Sequence, residues 1–402
     1  MISFEISEEI RKQKEYAEKV SREQIRPFAR YYDENEHEVP WDFAKFIWDE
    51  ARYHIGCLLP GSMDLEEPFM SQMHSVEALS WGDQGFYLCI PWPALGGTAV
   101  LATGTEEQKD RFLKRFHGKE ITWASMALTE AHCGSDSAAI RTRAVRDGDS
   151  WVLNGEKLFV STAKASMIDS KGIMIVWATI DPSLGRKGMR LFVVESGTPG
   201  LKITRLENKL GMRASDTAVV VLEDCRVPLE NMLSNTGDPQ KAKSFKGAMA
   251  TFDSARPTAA ASGAGIARAT LDFLKEQLAQ NGIVIRYDKH RNQMSAIERD
   301  IVDMEAQLEA AWLLILKAAW LIDQKKPNTV ESSMSKLKAG EIVTKITQKG
   351  VELMGNLGYS RKLLLEKWMR DGKVIDLFEG TGQINRLIVA RRILGYKSSD
   401  LK

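Results

Sequence analysis

The residues best suited to chemistry fall in four short runs, each setting a polar or acidic group among glycine, hydroxyl or aromatic neighbours. Near the C-terminus, Phe378-Glu379-Gly380-Thr381-Gly382-Gln383 places a carboxylate on a glycine-flanked turn after the apolar Val374-Ile375 segment. A carboxylate among apolar groups loses the hydration of its charged form, so its pKa climbs toward neutrality and it becomes a general base. The same pattern also describes an exposed turn whose Thr381 caps the next helix. Upstream, Phe252-Asp253-Ser254-Ala255-Arg256-Pro257 spaces an acid and a guanidinium three residues apart, either as a local ion pair or with the arginine reaching a phosphate. Leu128-Thr129-Glu130-Ala131-His132-Cys133-Gly134-Ser135-Asp136 is either a capped turn or a loop offering N–H groups and hydroxyls to phosphate or carbonyl oxygens. In Leu158-Phe159-Val160-Ser161-Thr162, strand periodicity sets Phe159 and Ser161 on one face. That arrangement covers a flat ring and hydrogen-bonds its edge, although an ordinary strand reads the same way.

These runs must be held by three kinds of segment. From Glu5 to about His117 the pattern is helical, with turn signals at Pro60-Gly61 and Gly96-Gly97. From about Ile121 the character becomes strand-like. Between Trp151 and Val160, the Asn154-Gly155 pair separates two strand-like runs and predicts a hairpin turn. Further strands are expected over 173–180, 191–195 and 217–222, all rich in β-branched residues. Beyond Pro228 the helical pattern returns. Ile297, Ile301, Met304, Leu308, Ala311 and Ile315 recur at spacings of three and four, which predicts a long helix in a bundle, with further helices over 333–354 and 381–393.

Composition limits the function. The chain has 402 residues, enough for two or three domains, and its 55 Lys and Arg against 54 Asp and Glu leave a net charge of +1. No diffuse positive field draws it to nucleic acid or anionic lipid, so neither is an expected partner. Cys57, Cys89, Cys133 and Cys225 form no C-x-x-C pair, and the six histidines show no ligand spacing, so no metal is expected. Acidic residues at Glu5, Glu8 and Glu9 argue against a signal or transit peptide. The most apolar stretch, 310–322, carries Lys317 and is too short to span a bilayer. Cytoplasmic residence in a bacterium, without membrane insertion, is the expectation. No Walker loop, Rossmann fingerprint or nucleophile elbow is present.

Taken in order, the four runs resemble the acyl-CoA dehydrogenase family of FAD flavoproteins, and the resemblance extends from about Glu5 to Tyr396. Three more stretches share it: Gly104-Thr105-Glu106-Glu107-Gln108-Lys109, the run from Asn208 to Thr217 continuing to Val227-Pro228, and Met369-Arg370-Asp371. The resemblance implies an α+β, mainly α fold. An N-terminal helical domain would cover 1–120, a central β-barrel-like or β-sandwich domain 121–235, and a C-terminal four-helix bundle 236–402.

It also implies an oxidoreductase of fatty acid β-oxidation that introduces an α,β double bond into an acyl-CoA thioester. Glu379 would take the α proton while hydride passes from the β carbon to flavin N5, and the electrons would go on to an electron-transfer flavoprotein. By the same resemblance Met126, Leu128, Thr129 and Ser135 line the flavin, and Phe159 and Ser161 cover its ring. Ser135, Asp253, Arg256, Glu379 and Gly380 lie on the substrate side. Arg286, Glu352, Gly355, Thr381 and Gln383 surround the FAD phosphates and adenosine, partly across a subunit interface of a homotetramer or heterotetramer. Phe159 stands where Trp is common, Phe378 where Tyr is, Glu352 where Gln is and Asn356 where Gly is, and His132-Cys133 replaces small residues. Phe86, Tyr87, Trp92 and Pro93 would shorten the acyl pocket in favour of short, branched or cyclic groups. The alternatives are an acyl-CoA oxidase, a relative turned to desulfination or decarboxylation, and a subunit of a heteromeric complex.

Overall fold

A computed structural model describes residues 5–55, 66–234, 245–396 and 400, with only the backbone described at 245–250. The Pro60-Gly61 turn signal and Cys57 lie outside these residues.

The N-terminal helices are α1 (Glu8–Val20), α2 (Ala29–Glu34), α3 (Trp41–Asp49), α4 (Pro68–Gly82), α5 (Gln84–Cys89), α6 (Ala94–Thr103) and α7 (Glu106–Leu113). The Gly104–Lys109 stretch is the start of α7, where Thr105 and Gln108 cap each other reciprocally. Gln108 Nε2 also donates to the carbonyls of Glu230 and Met232, both at 2.8 Å, which pins the helix to the end of the sheet.

Seven strands follow: β1 (Ala124–Ala127), β2 (Arg143–Asp147), β3 (Ser150–Ser161), β4 (Ile173–Thr179), β5 (Met189–Glu195), β6 (Leu201–Leu206) and β7 (Thr217–Pro228), with α8 (Ala163–Met167) after β3. They pair in the order β1-β4-β2-β3-β7-β6, with β5 also on β4. Every residue of β4 is buried because both of its faces are covered. Met174, Val176 and Ala178 pack with Trp151 and Phe192 in one core. Ile173, Ile175 and Trp177 meet Trp48, Phe112 and Phe116 from the N-terminal helices on the other side.

The hairpin expected at Asn154-Gly155 is not there. β3 runs through that pair, and the β2–β3 turn is Gly148-Asp149, closed by Asp147 opposite Ser150 with Gly148 at φ +58°. Asn154-Gly155 sits instead where the register with β7 slips. The Asn154 side chain accepts from Asp224 N at 2.8 Å, and a Cβ on Gly155 would lie 2.5 Å from Thr142 Oγ1. Close backbone approach, not a turn, is what requires this glycine.

The C-terminal helices are α9 (Phe245–Gln280), α10 (Ala296–Asp323), α11 (Thr329–Met354), α12 (Asn356–Tyr359), α13 (Leu365–Val374) and α14 (Gly382–Ile393). The predicted α10 stripe faces the core, with Ile301, Ala311 and Ile315 fully buried. The two helical blocks share one interior, in which Ala260, Ala264, Ile315 and Leu316 pack with Ile47, Met73 and Phe86. Lys367 on α13 adds a polar tie. Its ammonium bonds the carboxylates of Asp83, at the start of α5, and Asp371, at 2.6 Å from the latter, while Asp371 Oδ1 accepts from Met212 N at 2.6 Å. Three parts of the chain meet at that buried cluster.

Candidate active site

The turn between α13 and α14 reverses the chain with two successive left-handed residues, Glu379 at φ +55° and Gly380 at φ +89°. A left-handed glutamate is strained by about 1–2 kcal/mol, so its neighbours must hold it. Thr381 Oγ1 caps α14 by accepting from Ile384 N at 3.3 Å. The Gly380 carbonyl accepts from Asn385 Nδ2 at 2.8 Å and from Lys336 Nζ at 3.2 Å. The Glu379 carboxyl points inward, and its Oε2 is buried with no hydrogen-bond partner. Burial raises its pKa above the usual carboxylate range, against the opposing charges of Arg256 and Lys336.

Arg256, projecting from α9, is the neighbour on one side. Its Nη1 donates to Asp253 Oδ1 at 3.0 Å and its Nε to the Glu379 carbonyl at 3.4 Å. Asp253 is held in turn from α11. Thr329 Oγ1 donates to its carboxylate at 2.7 Å, while Ser332 Oγ and Asn328 Nδ2 donate to its carbonyl at 2.6 and 2.8 Å. The ion pair expected from the spacing of Asp253 and Arg256 therefore forms, and it braces the Glu379 turn.

A second group gathers at the sheet. Met126 and Leu128 pack in the same cluster as Phe252, the residue before Asp253, which brings the sheet against α9 beside the turn that carries Glu379. Leu158 N donates to the Thr129 carbonyl at 2.8 Å. The buried Lys157 donates to the Leu128 carbonyl at 3.0 Å and to Glu130 at 2.7 Å, so the 128–136 loop is fixed on β3. Glu130, His132 and Cys133 bring ligand-type atoms within 4.8 Å of one another. Glu130 already accepts from Lys157, Thr142 and Arg141 N, which ties it to the loop. Ser135 and Ser161 are exposed at the surface. Phe159 lies in a second slip of register with β7, at φ +56°, and the residue is 62% exposed. The slip breaks the simple strand alternation assumed for Phe159 and Ser161, yet leaves both side chains outward.

The remaining candidates lie elsewhere. Arg286 makes a two-pronged pair with Glu298 at the start of α10, with both contacts at 2.7 Å. Glu352 accepts from Lys349, which is also 3.6 Å from Asp300 on α10. Gly355 ends α11 at φ +55°, and Gln383 is exposed on α14. Among the described residues no hydrogen bond or ion pair joins Arg286, Glu352 or Gln383 to the Glu379 turn or to Phe159.

Residues 7–120, 125–225 and 245–394 match the family models described as the N-terminal, middle and C-terminal domains of acyl-CoA dehydrogenase. The chain belongs to the acyl-CoA dehydrogenase family. The mouse mitochondrial short-chain specific acyl-CoA dehydrogenase is 37% identical over 308 residues, covering 74% of this chain and 69% of that one. Butyryl-CoA dehydrogenase from Megasphaera elsdenii superposes with a TM-score of 0.84 at 28% identity, over 98% of this chain and 100% of the other. A chain solved in work on the electron transferring flavoprotein of Acidaminococcus fermentans and flavin-based electron bifurcation gives 0.85 at 29% identity, over 98% and 100%.

This acyl-CoA dehydrogenase is accordingly an oxidoreductase acting on acyl-CoA, with FAD as cofactor. Its residues suit that group. An outward aromatic ring held in a strained backbone conformation, with hydroxyls and a pinned loop beside it, is a platform for a flat heterocycle. Two features of the site went beyond the motifs. Phe86, expected at the acyl pocket, lies in the N-terminal core against Tyr32 and Phe43 at 5.1 and 5.2 Å between ring centroids, with Tyr87 buried beside Trp92. Lys336 was missed, although buried Ser332, Ala339, Val343 and Ile346 phase α11 so that position 336 faces inward. No helix among the described residues is long and apolar enough to cross a membrane.

Proposed function

We propose that Glu379 is the base of this acyl-CoA dehydrogenase and that its substrates are short-chain acyl-CoA thioesters. The observation that carries the reading is the inward Glu379 carboxyl, whose Oε2 has no partner in the protein. Burial lifts its pKa toward that of a useful base, and the two nearby cations keep the ionised form accessible. An α C–H of a thioester is a weak acid, so the carbonyl must be polarised as the proton leaves. The Glu379 N–H, which has no acceptor among the described residues, is one donor for that oxygen. FAD, when bound, supplies the acceptor for the hydride leaving the β carbon. Thr129, Phe159, Ser161 and the backbone around Met126 and Leu128 would seat its ring, with Ser135 toward the CoA.

The short-chain reading is supported by the names of the mouse and Megasphaera relatives. An electron-transfer flavoprotein is the proposed acceptor of the electrons, in keeping with the Acidaminococcus structure. Arg286 and Glu352 pair with Glu298 and Lys349 and make no hydrogen bond or ion pair to Phe159 among the described residues; with Gly355 and Gln383 they would serve the cofactor of a second copy in a tetramer, with Thr381 at the same turn as the base. Exposed Leu387, Ile393 and Leu394 at the end of the last helix are apolar surface available to such a contact.

The test is anaerobic titration of the FAD-loaded protein with butyryl-, isobutyryl-, cyclohexanecarbonyl- and palmitoyl-CoA, following loss of the flavin band. Butyryl-CoA is expected to bleach it fastest. Glu379→Gln is expected to slow bleaching by about 10²–10⁴-fold. Bleaching by that variant at the parent rate would remove Glu379 from the role, and faster bleaching by palmitoyl-CoA would overturn the short-chain reading.

A further inference from the structure

Lys336 is one of the largest side chains entirely withdrawn from solvent, and it sits in the middle of α11. Among the described residues it has no carboxylate within ion-pair distance. Its hydrogen bond is to the Gly380 carbonyl at 3.2 Å, and its ammonium stands 5.8 Å from the centroid of the Phe378 ring. Both contacts grip the residues on either side of Glu379. A buried ammonium is costly unless it is paired and fully hydrogen-bonded, and an ordinary core would place an apolar residue there.

We propose that Lys336 is the positioning residue of the base: it holds the left-handed Glu379-Gly380 turn through the Gly380 carbonyl and supplies the buried positive charge that keeps the Glu379 carboxylate ionised near neutral pH. The proposal rests on Glu379 being the base. The charged groups around Lys336 come from two directions. Arg256, with its partner Asp253, faces it from α9, and Asp376 and Glu379 face it from the turn before α14. Burial pulls the Lys336 ammonium down to about 8, with Arg256 acting in the same sense and Glu379 and Asp376 opposing. Its charge is therefore present at pH 7 and lost in mildly alkaline solution. Arg256 cannot replace it, because its guanidinium is paired with Asp253 and donates to the Glu379 carbonyl, not to Gly380.

The experiment compares parent, Lys336→Met, Lys336→Arg and Glu379→Gln holoenzymes. The rate of flavin bleaching by sub-saturating butyryl-CoA is measured across pH, a regime that reports the base in the free enzyme. In Lys336→Met the acid limb is expected to move up by about one pH unit, as for a carboxylate losing a nearby opposite charge, and Lys336→Arg is expected to move it back. An acid limb in Lys336→Met that superimposes on the parent, or an equal displacement in both variants, would overturn the proposal. A second readout needs neither turnover nor the methionine variant. The carboxylate infrared stretch of Glu379, identified by its loss in Glu379→Gln, is expected to shift in the parent as Lys336 deprotonates around pH 8 and to stay constant there in Lys336→Arg. No such step in the parent overturns the proposal too. If Glu379→Gln bleaches at the parent rate, the base assignment itself fails, whatever the Lys336 variants do.

Discussion

Lys367 and Lys336 are both withdrawn from water inside the C-terminal helices, yet their surroundings answer the charge in opposite ways. Lys367 has two carboxylates against its ammonium, Asp83 and Asp371. Burial would lower its pKa, but the two acids outweigh it and hold the ammonium above the ordinary lysine range. Lys336 has a carbonyl, an aromatic ring and the more distant Glu379, and its pKa falls. The difference separates a charge kept for architecture from one kept for a site. Lys367 balances two acids where α5, α13 and the Met212 loop meet, whereas Lys336 is left under-compensated next to Glu379, whose buried Oε2 has no hydrogen-bond partner. Under-compensation of this kind persists where function requires it, at a cost in stability.

The largest effect that would break the contrast is at Lys367. Lys367→Met leaves Asp83 and Asp371 buried together without a cation, and breaking a buried pair in this way costs about 3–5 kcal/mol. The melting temperature is expected to fall sharply at pH 7. Asp371 is already pushed above the usual carboxylate range by burial, so part of the loss is expected to be recovered as pH falls and one acid takes a proton. A Lys367→Met protein as stable as the parent at pH 7 would show that the cluster is not the joint it resembles.

At Lys336 the sign reverses. The drop from 10.5 to about 8 corresponds to roughly 3 kcal/mol of preference for the neutral form. Because the folded value lies below the unfolded one, the unfolded chain holds more protons between about 8 and 10.5, and the parent gains stability as pH rises through that window. Lys336→Met is therefore expected to melt higher than the parent at pH 7, with the advantage shrinking as pH rises from about 8 to 10.5, even though it works less well near neutrality. A lower melting temperature at pH 7 would mean that the Gly380 contact outweighs the burial of the charge.

How much of this was legible in sequence divides along the same line. The helix–strand–helix order follows from periodicity, because a 3.6-residue stripe and a two-residue alternation are properties of single segments. Glu379 could be picked out because a glycine-flanked acid after an apolar run is also local. What failed was non-local. Asn154-Gly155 reads as a turn until Thr142 is seen crowding the glycine from outside the strand. β1 has four residues and β6 is half exposed, so neither stands out. The pairing of Arg286 with Glu298, twelve residues on, is likewise not visible in either residue alone. Phe86 reads as pocket lining until its packing partners are known. A lysine in a helix is taken as solvent-facing by default. Only the phase of its neighbours turns Lys336 and Lys157 inward, and phase says nothing about whether a carboxylate waits there.

The smallest expected effect tests whether distance or burial makes the difference between these lysines. Lys202 on β6 lies 2.7 Å from Glu223 on β7, about as close as Lys367 to Asp371, but the two side chains are 61% and 62% exposed. Water already solvates both charges, and salt screens what attraction remains. Lys202→Met is therefore expected to change stability by less than about 0.5 kcal/mol, at low salt and at 0.5 M alike. β6 is also the edge strand of its sheet, where an exposed lysine discourages pairing with another chain. The variant is thus expected to match the parent in melting temperature while scattering more light on prolonged incubation at high concentration. A loss of stability comparable to that of Lys367→Met would mean that proximity alone sets the worth of an ion pair here, and the contrast between the two buried lysines would then need another cause.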